Sequence, residues 1–200
     1  MAKITQAKRE AWLARLTDRL RPHFLAAGYT VPDKVRVSCG WPSRGGLAPL
    51  RRVGGQCWYA DNSADNTAEI FISPTVDDVM DVAHILAHEL VHATLGPGYG
   101  HGPVFRACAT AIGLEGPMRS TVASEAFKRA VQPMLNRLGD YGHASLGGDA
   151  QVVGAPKKQT ARLIKVTCIE CDYTVRITRK WLDAGAPICP LHDEPMMEAV

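Results

Sequence analysis

His88-Glu89-Leu90-Val91-His92 places two imidazoles four residues apart, with a carboxylate beside the first. On a helix that spacing stacks both rings on one face, one turn apart, where they can share an ion. Zinc held in this way polarises a carbonyl and makes water nucleophilic near neutral pH. Glu89 is placed to take that water's proton and to return it to a leaving amine. The chemistry expected is peptide-bond hydrolysis. The competing explanation is a pair of surface histidines with a salt-bridging glutamate. It fits poorly with the surrounding stretch DVAHILAHELVHATL, which is apolar almost all round. Polar residues in such a helix are buried, and buried His and Glu without a partner are costly.

A catalytic zinc takes a third protein ligand and keeps one position open. His101, in GYGHGPVF, is the nearest candidate. Gly96-Pro97-Gly98 ends the helix and turns the chain back, and the glycines at 100 and 102 permit close backbone approach. The rivals are Glu115 and Glu125. Glu115 sits in a Gly-Leu-Glu-Gly loop, which suits a helical ligand poorly, so His101 is preferred. His84 precedes His88 by one turn, but each four-residue step drifts about 40° round the helix. It is expected to be a buried, hydrogen-bonded histidine. His23 and His143 have no metal-like neighbours.

A second constellation, Cys168-x2-Cys171 and Cys189-x2-His192, forms two short knuckles near the C-terminus. Four ligands close a tetrahedral shell, so this site is expected to be structural. A segment of about forty residues holds little core of its own and would draw its stability from zinc. His192 in place of a fourth cysteine still permits tetrahedral binding. Between the knuckles lie Arg176, Arg179, Lys180 and Trp181. They suit phosphate binding and base stacking. Equally, Trp181 could fill the small core while the charges are solvated, and both readings stay open. Cys39, Cys57 and Cys108 are scattered and read as small buried apolar residues.

The elements that position these residues follow from periodicity. Residues 3–27 read as an amphipathic helix that Pro22 kinks or ends early. Val35–Ser38, Gln56–Tyr59 and Glu69–Ser73 read as strands, close enough in sequence to suggest a small antiparallel sheet. The loop 41–50 separates the first two. Thr75 to Asp78 fits a capping box opening the HExxH helix, which runs to about Leu95. A further helix starts at Pro103 and ends near Gly113, and residues 120–138 look helical but broken by Pro133. Residues 139–160 lack periodicity and read as a linker.

The 200 residues are 46% hydrophobic and 22% charged, the composition of a globular protein. No run approaches the roughly 20 apolar residues of a membrane span, and the N-terminus lacks a signal-peptide h-region, so the expected location is cytoplasmic. Paired cysteines in a reducing compartment argue metal over disulfides. Net charge is +3, distributed unevenly. Residues 1–55 hold eleven Lys/Arg against three Asp/Glu, whereas 53–105 hold seven acids and no Lys or Arg. Basic flanks of this kind can hold a polyanion; equally, the charges could even out into a solvated surface in three dimensions, and both readings stay open.

The stretch IFISPTVDDVMDVAHILAHELVHATLG, followed by GYGHGPVFRACATAIGL, resembles the SprT-like family, which includes the Spartan proteases. The resemblance spans roughly residues 10–138 and is densest over 69–114. It implies a zincin-like metallopeptidase domain with zinc on His88, His92 and His101, and Glu89 as the catalytic carboxylate. It also implies that the strand before the ligand helix, Glu69–Ser73, forms an edge on which substrate lies extended. Family members often carry a C-terminal zinc ribbon, and Spartan-type relatives cleave proteins crosslinked to DNA.

The expectation is therefore an α+β chain: a zincin-like domain with a small antiparallel sheet over 1–138, a linker over 139–160 and a zinc ribbon over 161–200. Two zinc ions, a protein substrate, DNA as partner (single- or double-stranded), no membrane and a monomer complete it. The alternatives are a nucleic-acid-binding or transcription-associated protein that keeps the fold without proteolysis, and a general peptidase with no nucleic-acid role.

Overall fold

The structure, a computed structural model, describes residues 6–43, 45, 53–146 and 163–198. The chain divides into two compact units, residues 1–150 and 151–200. Most of the loop expected at 41–50, and residues 147–160 of the expected linker, lie outside the described residues. Both units mix helices with small sheets, an α+β composition.

The first unit opens with helix α1 (Gln6–Ala26), followed by strands β1 (Val35–Cys39), β2 (Gly55–Trp58) and β3 (Ala68–Ile72). Next come the HExxH helix α2 (Val79–Leu95) and helix α3 (Pro103–Ala111). A two-stranded ribbon, β4 (Leu114–Glu115) with β5 (Val122–Ala123), leads into helix α4 (Glu125–Leu138). Ala68, Ile70 and Ile72 alternate inward on β3, as a half-buried strand must. They meet α2, whose Val82, Ala83, Leu86, Leu90 and Val91 are buried. Trp12, Leu16, Leu20 and Phe24 of α1 join the same core.

The sheet differs from the antiparallel one expected. Its order is β1-β3-β2, with β1 parallel to β3 and β2 antiparallel to it. β3 is therefore the central strand, and the expectation that Glu69–Ser73 forms the edge is wrong. The edge strands are β1 and β2. Three strands close in sequence need not pair in sequence order: here β3 inserts between the other two and buries its whole inner row.

Both internal prolines sit inside unbroken helices. α1 continues past Pro22 to Ala26, and α4 continues past Pro133 to Leu138. Proline costs about 3 kcal/mol in a helix interior. Buried residues on both sides, Leu20 with Phe24 and Val131 with Leu135, outweigh that cost. The start of α2 also differs. Asp78, not Thr75, is the N-cap, and its carboxylate accepts from the amides of Met80 and Asp81 at 2.9 Å. Thr75 is tied instead to Ser73, its hydroxyl lying 2.9 Å from the Ser73 hydroxyl.

Residues 139–146, expected to be linker, pack on the first unit. Tyr141 is buried against Trp12, and the Trp12 indole donates to Gly139 O at 2.9 Å. His143 Nε2 lies 2.9 Å from Pro74 O, and the Leu146 amide donates to the same oxygen at 2.8 Å.

The second unit holds β6 (Leu163–Thr167), β7 (Thr174–Thr178), the short helix α5 (Arg179–Ala184) and β8 (Met197–Glu198). The sheet order is β7-β6-β8, all antiparallel. Its buried cluster is small: Val166, Cys168, Cys189 and Met196. Among the described residues no helix is long and apolar enough to cross a membrane.

Candidate metal centres

Helix α2 delivers His88, Glu89 and His92 into a cleft of about 1060 Å³. Gly96, at φ +77°, ends the helix in a conformation that side chains resist. The glycine-rich turn then brings His101 back against the helix just before Pro103 starts α3. His88 Nε2 and His92 Nε2 each lie 3.2 Å from His101 Nε2. Two nitrogens on one tetrahedral zinc, at about 2.0–2.1 Å each, sit roughly 3.3–3.4 Å apart. Both pairs thus have the spacing of a shared ligand sphere, and all three ligand atoms lie within 4.8 Å of one another. The rivals do not join them. Glu115 is exposed on β4, and Glu125 is exposed in the first turn of α4, paired with Lys128 at 2.8 Å.

Protonation favours the same arrangement. Burial, then repulsion from the neighbouring imidazoles, holds His88 down to about 3. Burial and His101 hold His92 down to about 4. Burial, then Arg119, lowers His101 as well. The rings are neutral at pH 7 and offer lone pairs. His88 Nδ1 lies 2.9 Å from Thr121 Oγ1; with the proton on Nδ1 and the hydroxyl accepting, the Nε2 lone pair is left facing the site. His84 stands apart from the three. It faces Asp81, with Nδ1 3.6 Å from Oδ1, and hydrogen-bonds the Thr121 backbone.

Glu89 is 7% exposed, and burial pushes its carboxyl up to about 8, partly opposed by a hydrogen bond from the Cys57 amide. A cation beside it would favour the ionised form. That amide belongs to the open edge of the sheet. Ser73 N–H donates to Gly54 O, and Gln56 pairs with Phe71, so both residues turn their backbone groups to β3. Gly55 and Cys57 alternate with them and present N–H and C=O outward. The strand lies tight on the helix: a Cβ at Gly55 would come 2.9 Å from both Cγ and Oε1 of Glu89. The Cys57 thiol, pushed up to about 12 by burial and Glu89, stays protonated.

The second unit gathers Cys168, Cys171, Cys189 and His192, their ligand atoms all within 4.8 Å of one another. Cys171 Sγ and Cys189 Sγ are 3.7 Å apart, and His192 Nδ1 is 3.8 Å from the sulfurs of Cys168 and Cys189. Thiolates at about 2.3 Å from a tetrahedral zinc would sit roughly 3.8 Å apart. Both groups are compatible with a metal such as zinc. Trp181 is 60% exposed, with Lys180 Nζ 4.9 Å from its ring centre, and Leu182 packs the small core in its place.

Sequence reasoning missed Thr121, Arg119, Tyr59 and the pair Gly54-Gly55, all of which line the cleft. The Gly-Gly pair before a strand signalled close backbone approach. A threonine thirty-three residues from His88 carried no local signal. No family model, curated protein or solved structure matches this chain.

Proposed function

We propose that the chain is a zinc metallopeptidase of the SprT-like kind, with a zincin-like first unit and a zinc ribbon as its second, acting on proteins bound or crosslinked to DNA. The observation that carries the reading is the 3.2 Å convergence of His88, His92 and His101 beside a buried Glu89. When bound, zinc supplies Lewis acidity with one position left open for reaction. Glu89 takes the proton of the attacking water and hands it to the leaving amine. Gly55 and Cys57 hold the polypeptide backbone by strand addition, which explains a loose sequence preference. Thr121 keeps the His88 ring in register.

The nucleic-acid half rests on the uneven charge and on the second unit. The exposed Trp181, with Lys180 against it and Arg179 beside it, suits stacking and phosphate contact. The same feature favours the alternative, a nucleic-acid binder without proteolysis. The test is Glu89→Gln assayed against a DNA-bound protein, with metal content measured in parallel. The variant should keep two zinc ions per chain and lose cleavage. Cleavage equal to the parent removes Glu89 as the base. DNA binding by the parent without chelator-sensitive cleavage favours the alternative.

A further inference from the structure

The cleft has two walls fixed to different sides of α2. Ile85 and Glu89 meet β2 at Gly54 and Gly55. His84 and His88, about 100° further round the helix, meet Thr121 through its backbone and its hydroxyl. The segment before Thr121 is thereby held at a set distance from the ligand helix, although Arg119 and Ser120 are exposed. Arg119 lines the cleft beside His101 and makes no ion pair among the described residues. Among the described lining residues it is the one Lys or Arg, and Glu89, already engaged in proton transfer, is the one acid.

We propose that Arg119 is a specificity residue that binds a carboxylate side chain of the peptide held along β2, so that the site prefers bonds flanked by Asp or Glu. The proposal rests on the peptidase reading above. The planar fork of a guanidinium matches a carboxylate bidentately, so less freedom is lost for each hydrogen bond formed. Phosphate would match the same fork. The polypeptide carboxylate is favoured because the neighbouring wall offers unpaired strand N–H and C=O groups, which select a peptide backbone. Arg119 lines the same cleft as His101 and Glu89, which puts it within reach of a side chain next to the scissile bond.

The test uses the zinc-loaded full chain and two fluorogenic peptides identical except for Glu or Gln beside the cut bond. The bond is chosen by mapping cleavage in an unstructured protein. The Glu peptide should be cut with kcat/KM about two- to fivefold higher at low salt, the upper range for an exposed charge pair. The ratio should fall to about one in Arg119→Ala and invert in Arg119→Glu for a Lys-bearing peptide. A parent ratio near one, or a ratio that survives Arg119→Ala, overturns the proposal. A parent that cuts neither peptide sinks the peptidase reading instead. In that case anisotropy of the two labelled peptides on the Glu89→Gln protein still decides Arg119, since equal affinities for both overturn it. Indifference to the peptides combined with Arg119-dependent binding of a DNA oligomer likewise overturns it.

Discussion

Alanine at Gly55 introduces one methyl group where the structure has no room for it. The new Cβ would sit 2.7 Å from Ile85 Cγ2 and 2.9 Å from Cγ and Oε1 of Glu89. Ordinary carbon contacts lie at about 3.5–4.0 Å, so the glutamate or the strand must yield by roughly 0.6–1 Å. Gly55 has no positive φ to relieve, and stiffening the unfolded chain returns about 0.4–1 kcal/mol. Overpacking costs about 1–3 kcal/mol. The net loss of roughly 1–2 kcal/mol should lower Tm by about 3–6 °C. The effect on rate should be larger, because a catalytic group displaced by about 1 Å can cost 10²-fold. Gly54→Ala is the control: the three atoms nearest its Cβ all belong to Ile85, whereas at Gly55 two of the three belong to Glu89, so stability should fall while the rate is largely kept. The assay is kcat/KM on a peptide substrate with thermal denaturation and zinc content for the three proteins. A Gly55→Ala protein with the parent's Tm and rate would refute the close approach. Equal rate losses in both variants would show that the strand, not the carboxylate, is what moves.

Three further outcomes follow from the two centres. Thr121→Val should weaken zinc at the histidine site about 10–100-fold in a chelator competition, and Thr121→Ser should restore it; a Val variant with parental affinity removes the hydrogen bond from the account. Cys168→Ser should unfold the second unit, whose buried cluster is four residues, while the first unit keeps its near-ultraviolet dichroism from Trp12; a ribbon that stays protected from proteolysis contradicts this. In the metal-free protein the folded-state pKa of Glu89, about 8, lies above its unfolded value, so the folded form holds the extra proton between them. Stability is then lost progressively as pH rises through that window. Metal-free Glu89→Gln should therefore gain on the metal-free parent from pH 5 to pH 8 in urea denaturation, and a constant difference would exclude the buried acid as its source.

What local sequence carries is visible in α2. The four-residue spacing, the apolar surround and the Gly96 stop are properties of one short segment, and His101 follows within a single turn of chain. The Cys-x2-Cys and Cys-x2-His knuckles are equally local. Pairing is not. The parallel match of Val35–Cys39 with Ala68–Ile72 joins strands about thirty residues apart, and nothing in either alternation says which neighbour will be central. Pro22 and Pro133 were read by propensity, whereas burial on either side decided them. The capping-box pattern puts Thr75 at the cap and Asp78 three residues on; in the structure Asp78 is itself the cap, and Thr75 is tied to Ser73. Residues 139–146 lack periodicity because their order comes from Trp12 and Pro74, far away in sequence.

The rim of β2 bears on solubility as well as on recognition. A strand with unpaired amides and carbonyls is an invitation to stack sheet on sheet with another molecule, and such edges are usually blunted by charge, proline or a bulge. Here the Cys57 amide is taken by Glu89, and the remaining edge groups, Gly55 N–H and C=O and Cys57 C=O, open into a recess walled by α2 and by residues 119–121. A broad sheet cannot be pushed into a recess, whereas a single unfolded strand can be threaded along it. The shape that admits one chain and turns away many would guard this rim of the sheet against pairing with another.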